Sequence, residues 1–469
     1  MSNPGIPPQQ EIIVALATPP GVGAIGVIRL SGQGAIELVQ SVFKGKDLRL
    51  QPGHTAHFGR IHQEQGYLLD EVLVTIFRAP RSYTREDTAE ISCHGSPYII
   101  QELIQLFIRR GARLAKPGEY TLRAFLNGQL DLSQAEAVAD LIAADSKAAH
   151  DLAMNQMRGG FSNDIKALRQ ELIDFAALIE LELDFGEEDV EFADRERLRQ
   201  LILRIQAMLH KLILSFALGN VLRNGVSTVL AGRPNAGKST LLNALLNEER
   251  AIVSDIAGTT RDTVEEQLNI QGVPFRLIDT AGIREAQDQI EAVGVRKTME
   301  KIQQSALLLY IFDVIKTSPD EVWSDLQKLA RPGLHLLVVA NKMDLNPYAS
   351  VEHYLRPEAG ELINRSNFIP VAAIHQMNIE HLKDTLFQLV VGGQVEAQST
   401  VVSNARHYAA LQQAHDALGR ALEGLQTGIS GDFLAMDIRA SLRHLGEITG
   451  EISSDDLLES IFSRFCIGK

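Results

Sequence analysis

Cysteine is nearly absent: Cys93 and Cys466 are the only two in 469 residues. That excludes a disulfide framework and points to a reducing compartment, with the cytoplasm as the default location. No unbroken run of 18 or more apolar residues occurs, so no membrane span is expected. Residues 1–10 lack a basic stretch leading into an apolar one, so no secretory signal is expected either. Basic charge is in deficit, 45 Lys and Arg against 59 Asp and Glu for a net −14. A uniformly basic nucleic-acid-binding face is thereby excluded, and only a local patch is left for such a role.

What is present is an ordinary globular composition, 45% apolar and 22% charged. A chain this long outgrows one core, so about two to four domains are expected. Over residues 1–118, short strand-like runs at 12–16, 25–30, 56–62, 72–77 and 89–93 alternate with helical spacing at 35–43 and 98–110, which predicts a small α+β domain. Gly21, Gly23 and Gly26 fit a G-x-G-x-x-G pattern. Because Val27 continues a strand where a dinucleotide site needs a helix, that site is rejected.

Long helices follow over 119–224, opened by a capping box at Ser133-Gln134-Ala135-Glu136 and interrupted at Gly159-Gly160. The acidic cluster of Glu187, Glu188, Asp189, Glu191 and Asp194 reads as a solvated loop. Residues 225–391 alternate strand and helix, and 392–469 return to helices. The α/β segment is therefore expected as an insertion between two helical segments that pack together.

The chemistry lies in that insertion. Ala231-Gly232-Arg233-Pro234-Asn235-Ala236-Gly237-Lys238-Ser239-Thr240 follows an apolar run and precedes a helical one, matching G-x-x-x-x-G-K-[ST]. Such a loop turns its amides around a di- or triphosphate; Lys238 reaches the β and γ phosphates and Ser239 ligates Mg²⁺. Ser254, Asp255, Ile256, Ala257, Gly258, Thr259 and Thr260 form a polar segment where a switch belongs, with Thr260 as the second hydroxyl for Mg²⁺. A strand then delivers Asp279-Thr280-Ala281-Gly282, and another delivers Asn341-Lys342-Met343-Asp344. The Asp344 carboxylate can accept from N1–H and the 2-amino group of guanine, donors that adenine lacks. Three motifs in this order predict a Ras-like GTPase.

Two departures stand out. Ile283 occupies the place where Ras-like enzymes carry a water-orienting glutamine. Asn235 puts an amide oxygen beside the phosphates, which with the oxygen-rich switch segment suits a monovalent cation.

These motifs, together with Pro117-Gly118-Glu119-Tyr120, Arg123-Ala124-Phe125-Leu126-Asn127 and the terminal Cys466-Ile467-Gly468-Lys469, resemble the MnmE (TrmE) family of tRNA wobble-uridine modification GTPases over the whole chain. The resemblance implies an N-terminal domain over 1–118 for dimerisation and for binding a 5-formyl- or 5,10-methylene-tetrahydrofolate. It also implies a helical domain over 119–224 and 392–469, and a GTPase domain over 225–391. It implies a homodimer that works on tRNA with MnmG, a FAD- and NADH-using partner, to add an aminomethyl or carboxymethylaminomethyl group.

By that similarity K⁺ is held by Asn235, Ser254, Ile256 and Thr259, standing in for an arginine finger, and Glu291 orients the hydrolytic water. Arg29, Glu90, Gln129 and Lys469 hold the folate; the family often has lysine where Gln129 stands. Cys466 is implied near the one-carbon chemistry, and its place fourth from the end does not make a prenylation signal, because Gly468 and Lys469 do not fit one. Val371-Ala372-Ala373-Ile374 replaces the usual Ser-Ala-Lys base contact, leaving the Ala373 amide to meet the guanine. A ribosome-assembly GTPase of the Era or Der kind is the alternative, and it calls for a C-terminal RNA-binding module; a dynamin-like remodeller calls for a lipid-binding segment.

Overall fold

Strand alternation in the first hundred residues is realised as one sheet whose inner face is covered by helices. The computed structural model describes residues 11–63, 66–184, 195–246, 265–279, 305–331, 333–356, 362–391, 400–427 and 431–468. Two compact units divide the chain: residues 1–143, 153–210 and 409–469 form the first, and residues 144–152 and 211–408 the second.

In the first unit, β1 (Ile13–Leu16), β2 (Ile25–Ser31), β3 (Phe43–Gly45), β4 (Thr55–His62), β5 (Leu68–Phe77), β6 (Thr88–His94) and β7 (Arg113–Leu114) form a sheet in the order β3-β4-β5-β6-β2-β1-β7. All described pairs are antiparallel except β1 with β7. Side chains alternate faces along a strand, so Val72, Val74 and Ile76 of β5 and Ile28 and Leu30 of β2 point one way. There they meet Ile36 and Val39 of α1 (Ala35–Gln40) and Leu103 and Phe107 of α2 (Pro97–Arg109). The opposite parity places Arg29 of β2 directly across from Glu90 of β6.

The helix expected over 35–43 stops at Gln40, where Ser41 Oγ takes the Leu38 carbonyl at 2.7 Å and Phe43 pairs with Ile61 in the sheet. Ile25 and Gly26 already belong to β2, so the glycine pattern feeds a strand and no dinucleotide-binding helix follows it.

The helices of this unit are α3 (Glu119–Leu126), α4 (Leu132–Ala143), part of α5 (Lys147–Met157), α6 (Gly160–Asp184), the first half of α7 (Arg195–Asn224), most of α11 (Ala405–Thr427), α12 (Gly431–Thr449) and α13 (Asp455–Phe462). The capping box expected at Ser133 lies two residues earlier. Asp131 Oδ1 accepts from Gln134 N at 3.0 Å, and Gln134 Oε1 accepts from Asp131 N at 3.0 Å. A carboxylate at the helix start outcompetes the serine, whose hydroxyl donates to Asp131. α12 packs along α6, and Leu458 and Phe462 of α13 close on Leu132 and Ala135. The acidic cluster at 187–194 lies outside the described residues.

No unbroken apolar run of 18 residues occurs, yet by average composition one described helix, α7, contains an 18-residue window of mean hydropathy 1.6, enough by length and composition alone to cross a membrane. Gln206, His210 and Lys211 interrupt the run without lowering its average much. The helix makes side-chain contacts in each unit. Gln206 Nε2 donates to the His415 carbonyl at 3.3 Å in the first unit, and Phe216 stacks on Tyr408 at 4.4 Å in the second.

In the second unit, β8 (Val226–Ala231), β9 (Glu265–Ile270), β10 (Val273–Asp279), β11 (Leu307–Asp313), β12 (His335–Asn341) and β13 (Phe368–Pro370) form a sheet in the order β13-β12-β11-β8-β10-β9. All pairs are parallel except the β9–β10 hairpin. Parallel strands need cover on both faces, and β11, reading Leu-Leu-Leu-Tyr-Ile-Phe-Asp, is buried throughout. Helices α8 (Lys238–Leu246), α9 (Pro319–Leu329) and α10 (Ile379–Val391) complete a Ras-like α/β fold. β8 is flanked by β10 on one side and β11 on the other, so the strand order reverses beside its C-terminal end, the place where such sheets bind ligands.

Candidate functional site: a nucleotide-binding loop and a tail-capped pair

β8 ends at Ala231 and α8 begins at Lys238, leaving a six-residue loop at the switch point. Asn235 at φ 61° and Gly237 at φ 91° turn that loop through left-handed backbone. Gly237 also has no room for a side chain, since a Cβ there would lie 2.3 Å from Asn341 Nδ2. Lys238 is buried, and its Nζ donates to the carbonyls of Gly232 at 2.9 Å and Arg233 at 3.1 Å. Ser239 and Thr240 are exposed in the first turn of α8, where the helix N-terminus favours anions.

The ends of β11 and β12 hold this loop. Asn341, only 2% exposed, donates from Nδ2 to the Ala236 carbonyl at 2.9 Å, and its Oδ1 accepts from the Ala373 amide at 3.2 Å. Lys342 Nζ donates to the Asn235 carbonyl at 2.9 Å and to Asp313 Oδ2 at 2.7 Å. Burial pushes Asp313 upward, but Lys342 and the Ile315 and Lys316 amides outweigh it, so the carboxyl is held below its ordinary range. Asp344 faces His375, Nε2 to Oδ2 being 3.8 Å, while Ile374 is 72% exposed.

Asn235, Ala236, Gly237, Lys238, Asn341, Lys342 and Ala373 thus form one bonded cluster, with Ser239, Thr240 and Asp344 at its margins. Asp279 is the last residue of β10, opposite Leu230. Ser254, Asp255, Ile256, Ala257, Gly258, Thr259, Thr260, Thr280, Ala281, Gly282, Glu291 and Lys469 lie outside the described residues. Asp313 was missed by sequence reasoning, although an aspartate ending an apolar parallel strand one place from the phosphate-loop strand was a usable signal.

The first unit carries a second constellation. Arg29 Nε and its terminal nitrogen both reach Glu90 Oε1 at 2.8 Å, and Arg29 Nη1 donates to the Gly468 carbonyl at 3.3 Å. The guanidinium lies 5.6 Å from the Tyr120 ring and 5.9 Å from the Tyr83 ring. Burial raises Tyr120, so its hydroxyl stays protonated and donates to the Arg29 carbonyl at 2.6 Å.

The C-terminal tail is docked at Gly468, whose φ is 96° and where a Cβ would meet the Leu16 carbonyl at 2.2 Å. Cys466 gives its carbonyl to the Gly118 amide at 3.3 Å and leaves its thiol exposed. Gln129 is held apart from Arg29, its Oε1 accepting from Arg85 Nε at 3.0 Å. Cys93 is buried; burial, then Asp70, pushes its thiol up to about 11, so it is an inert strand residue.

Beneath this pair runs a buried ionic network. Glu119, 1% exposed, accepts from Arg113 Nη2 at 2.7 Å, Arg113 Nη1 at 3.0 Å, Lys116 N at 2.8 Å and Arg123 Nη2 at 3.1 Å. Arg123, 3% exposed, reaches Glu86 Oε2 at 3.2 Å and the Glu11 carbonyl at 3.0 Å. Burial alone raises Glu119; Arg113, the Lys116 amide and Arg123 more than offset it and hold the carboxyl below its ordinary value.

The family model described as the GTP-binding protein TrmE N-terminus matches residues 12–129, and the MnmE helical domain model matches residues 132–466. The "tRNA modification GTPase MnmE" of Cytophaga hutchinsonii is 54% identical over 469 residues, covering 100% of both chains. The protein of the same description from Christiangramia forsetii is 52% identical, covering 98% of this chain and 99% of its own. Among solved structures, Aquifex aeolicus Era bound to GDP and aluminium fluoride is 25% identical over 41% of this chain and 66% of that one. Its TM-score of 0.27 leaves the fold argument to the strand order itself. With family models over both halves of the chain and relatives matched from end to end, this P-loop GTP hydrolase belongs to the MnmE family.

Proposed function

We propose that this GTPase acts on tRNA, installing an aminomethyl or carboxymethylaminomethyl group at C5 of the wobble uridine together with an MnmG-type partner that uses FAD and NADH. One observation carries the reading: the chain that bears the phosphate loop also lays its own C-terminal tail, with the Cys466 thiol exposed, against the Arg29–Glu90 pair. Relatives named for tRNA modification support the substrate.

Arg29 and Glu90 together offer a donor fork and an acceptor to a tetrahydrofolate derivative, which when bound supplies the one-carbon unit. The Arg85 guanidinium on Gln129 offers a cation where a lysine is otherwise usual, and Lys469 adds a second for the folate carboxylates.

In the GTPase domain, Ser239, exposed at the start of α8, and Thr260 are the groups that hold Mg²⁺. Asn235, exposed in the turn, with Ser254, the Ile256 carbonyl and Thr259, would hold K⁺, which when bound would supply the positive charge that an arginine finger supplies elsewhere. Glu291 orients the attacking water, and Lys238 stays aimed at the phosphates by the loop's carbonyls. GTP hydrolysis drives closing and opening of paired GTPase domains; the uridine chemistry belongs to the folate end.

The domain plan is 1–118 for folate and dimerisation, 119–224 with 392–469 helical, and 225–391 for GTP. Phe58 and Leu73, paired across β4 and β5 yet 65% and 43% exposed, support a homodimer through the outer sheet face. The scarcity of cysteine supports the reading of a cytoplasmic chain with no membrane role. An Era- or Der-like regulatory role is not favoured, since the relatives matched from end to end are named for tRNA modification.

Two measurements test the proposal. GTP turnover in KCl should exceed that in NaCl severalfold, and equal rates defeat the cation assignment. Mass spectrometry of tRNA nucleosides should find the wobble modification missing in cells lacking this protein and unrestored by Cys466→Ser; its persistence in the deletion strain overturns the substrate.

A further inference from the structure

Arg233, the second residue of the phosphate loop, has no place in the nucleotide contacts above, yet it is the most heavily paired residue of the loop. Its Nε donates to Asp325 Oδ2 at 2.8 Å and its Nη2 to Asp325 Oδ1 at 3.3 Å, a forked contact, while Nη1 bonds Glu321. Both carboxylates are pre-set by other groups. Glu321 Oε2 accepts from Ser318 N at 2.9 Å and Ser318 Oγ at 3.0 Å in the capping box of α9. Asp325 Oδ2 also accepts from the hydroxyl of Tyr310, a side chain 1% exposed on β11.

The acidic pair is not what docks α9. Val322, Trp323 and Leu326, at 0%, 1% and 0% exposure, anchor that helix to the sheet from its other face. What the pair does hold is the loop, because the Arg233 carbonyl, with that of Gly232, is where Lys238 Nζ rests.

We propose that Asp325, backed by Glu321 and Tyr310, is a positioning residue for GTP binding: through the Arg233 fork it fixes the first turn of the phosphate loop and so the aim of Lys238. The inference rests on this loop being the GTP site, and it concerns which residues outside the motif set that site's geometry. Two carboxylates reached by one planar fork explain why arginine stands here, since a lysine presents a single point charge. Half-exposed ion pairs contribute little to stability, so the effect belongs in nucleotide handling and not in folding.

The test uses the full-length protein, with GTP turnover and the release of a fluorescent GDP analogue as readouts. Asp325→Asn keeps an acceptor for Tyr310 but weakens the fork. It should raise KM for GTP about fivefold, equal to ~1 kcal/mol, and speed GDP release by a like factor, while kcat moves by less than about twofold. In an Arg233→Met background the same substitution should add nothing, because its route is gone. Glu321→Gln should show a smaller change of the same kind.

Unchanged KM and GDP release in Asp325→Asn overturn the proposal. So does an effect that persists undiminished in Arg233→Met, or one that follows a loss of Trp323 burial seen in its fluorescence, since either marks a role in packing alone.

Discussion

Replacing Glu119 by alanine is the sharpest test of how the first unit is held. The glutamate is 1% exposed and accepts four hydrogen bonds, three from two arginines and one from the Lys116 amide. Removing one partner of a buried ion pair costs about 3–5 kcal/mol because the other charge is left without compensation. Arg113 is 31% exposed and recovers some hydration, and Arg123 keeps Glu86 and the Glu11 carbonyl. The lower end, ~3 kcal/mol, is therefore expected, a large share of a typical domain stability of about 5–15 kcal/mol.

The chain supplies its own control. Its single tryptophan, Trp323, is 1% exposed in the second unit, so tryptophan fluorescence during urea unfolding follows that unit. Hydrogen exchange in peptides from α3 and β7 follows the first. Glu119→Ala should accelerate exchange in those peptides about 100-fold while the Trp323 transition stays in place. A loss below about 1 kcal/mol, or an equal shift of the Trp323 transition, would refute the reasoning.

The pH dependence has a definite sign. The folded carboxyl lies below its ordinary value of 4.5. Its stabilisation is thus present above pH 4.5 and is lost as pH falls through the lower folded value. Exchange in wild-type α3 should quicken in that acid window, and Glu119→Ala should flatten the response.

Gly468→Val forces a branched side chain into left-handed backbone against the Leu16 carbonyl; it should free the tail from Arg29 and lower tRNA modification at least tenfold, about 1.4 kcal/mol, with GTP turnover intact. Modification at the wild-type rate would show that the docked tail is not required. Asn341→Ala removes the link between the Ala236 carbonyl and the Ala373 amide. Leaving such buried groups unpaired costs about 1–3 kcal/mol, so GTP affinity measured by calorimetry should fall roughly 5- to 150-fold, and an unchanged affinity would rule out the bridge.

The nucleotide site was legible because its parts are local. The apolar run of β8, the glycine loop and the helix after it are consecutive, and Asn341 and Asp344 sit together at one strand end. What stayed hidden was pairing across distance. The Arg233–Asp325 fork joins positions 92 apart, and Arg29 meets Gly468 across 439, separations that leave no periodic trace. Local competition also misled: Asp131 and Ser133 are both good caps, and only the geometry shows the carboxylate winning. β7 is two residues long, too short to register as an alternating pattern. Residues 144–152 read as part of the helical run, yet Asp145 accepts from Gln267 at 2.9 Å and Ala148 donates to the Gly272 carbonyl at 3.2 Å in the second unit.

Asn341 braces the phosphate loop with its amide nitrogen and the guanine-side turn with its oxygen. A substitution at this position therefore disturbs both segments at once, so in the proposed GTP site a drift in base preference has its freer starting point at Asp344, whose carboxylate faces His375 at 3.8 Å.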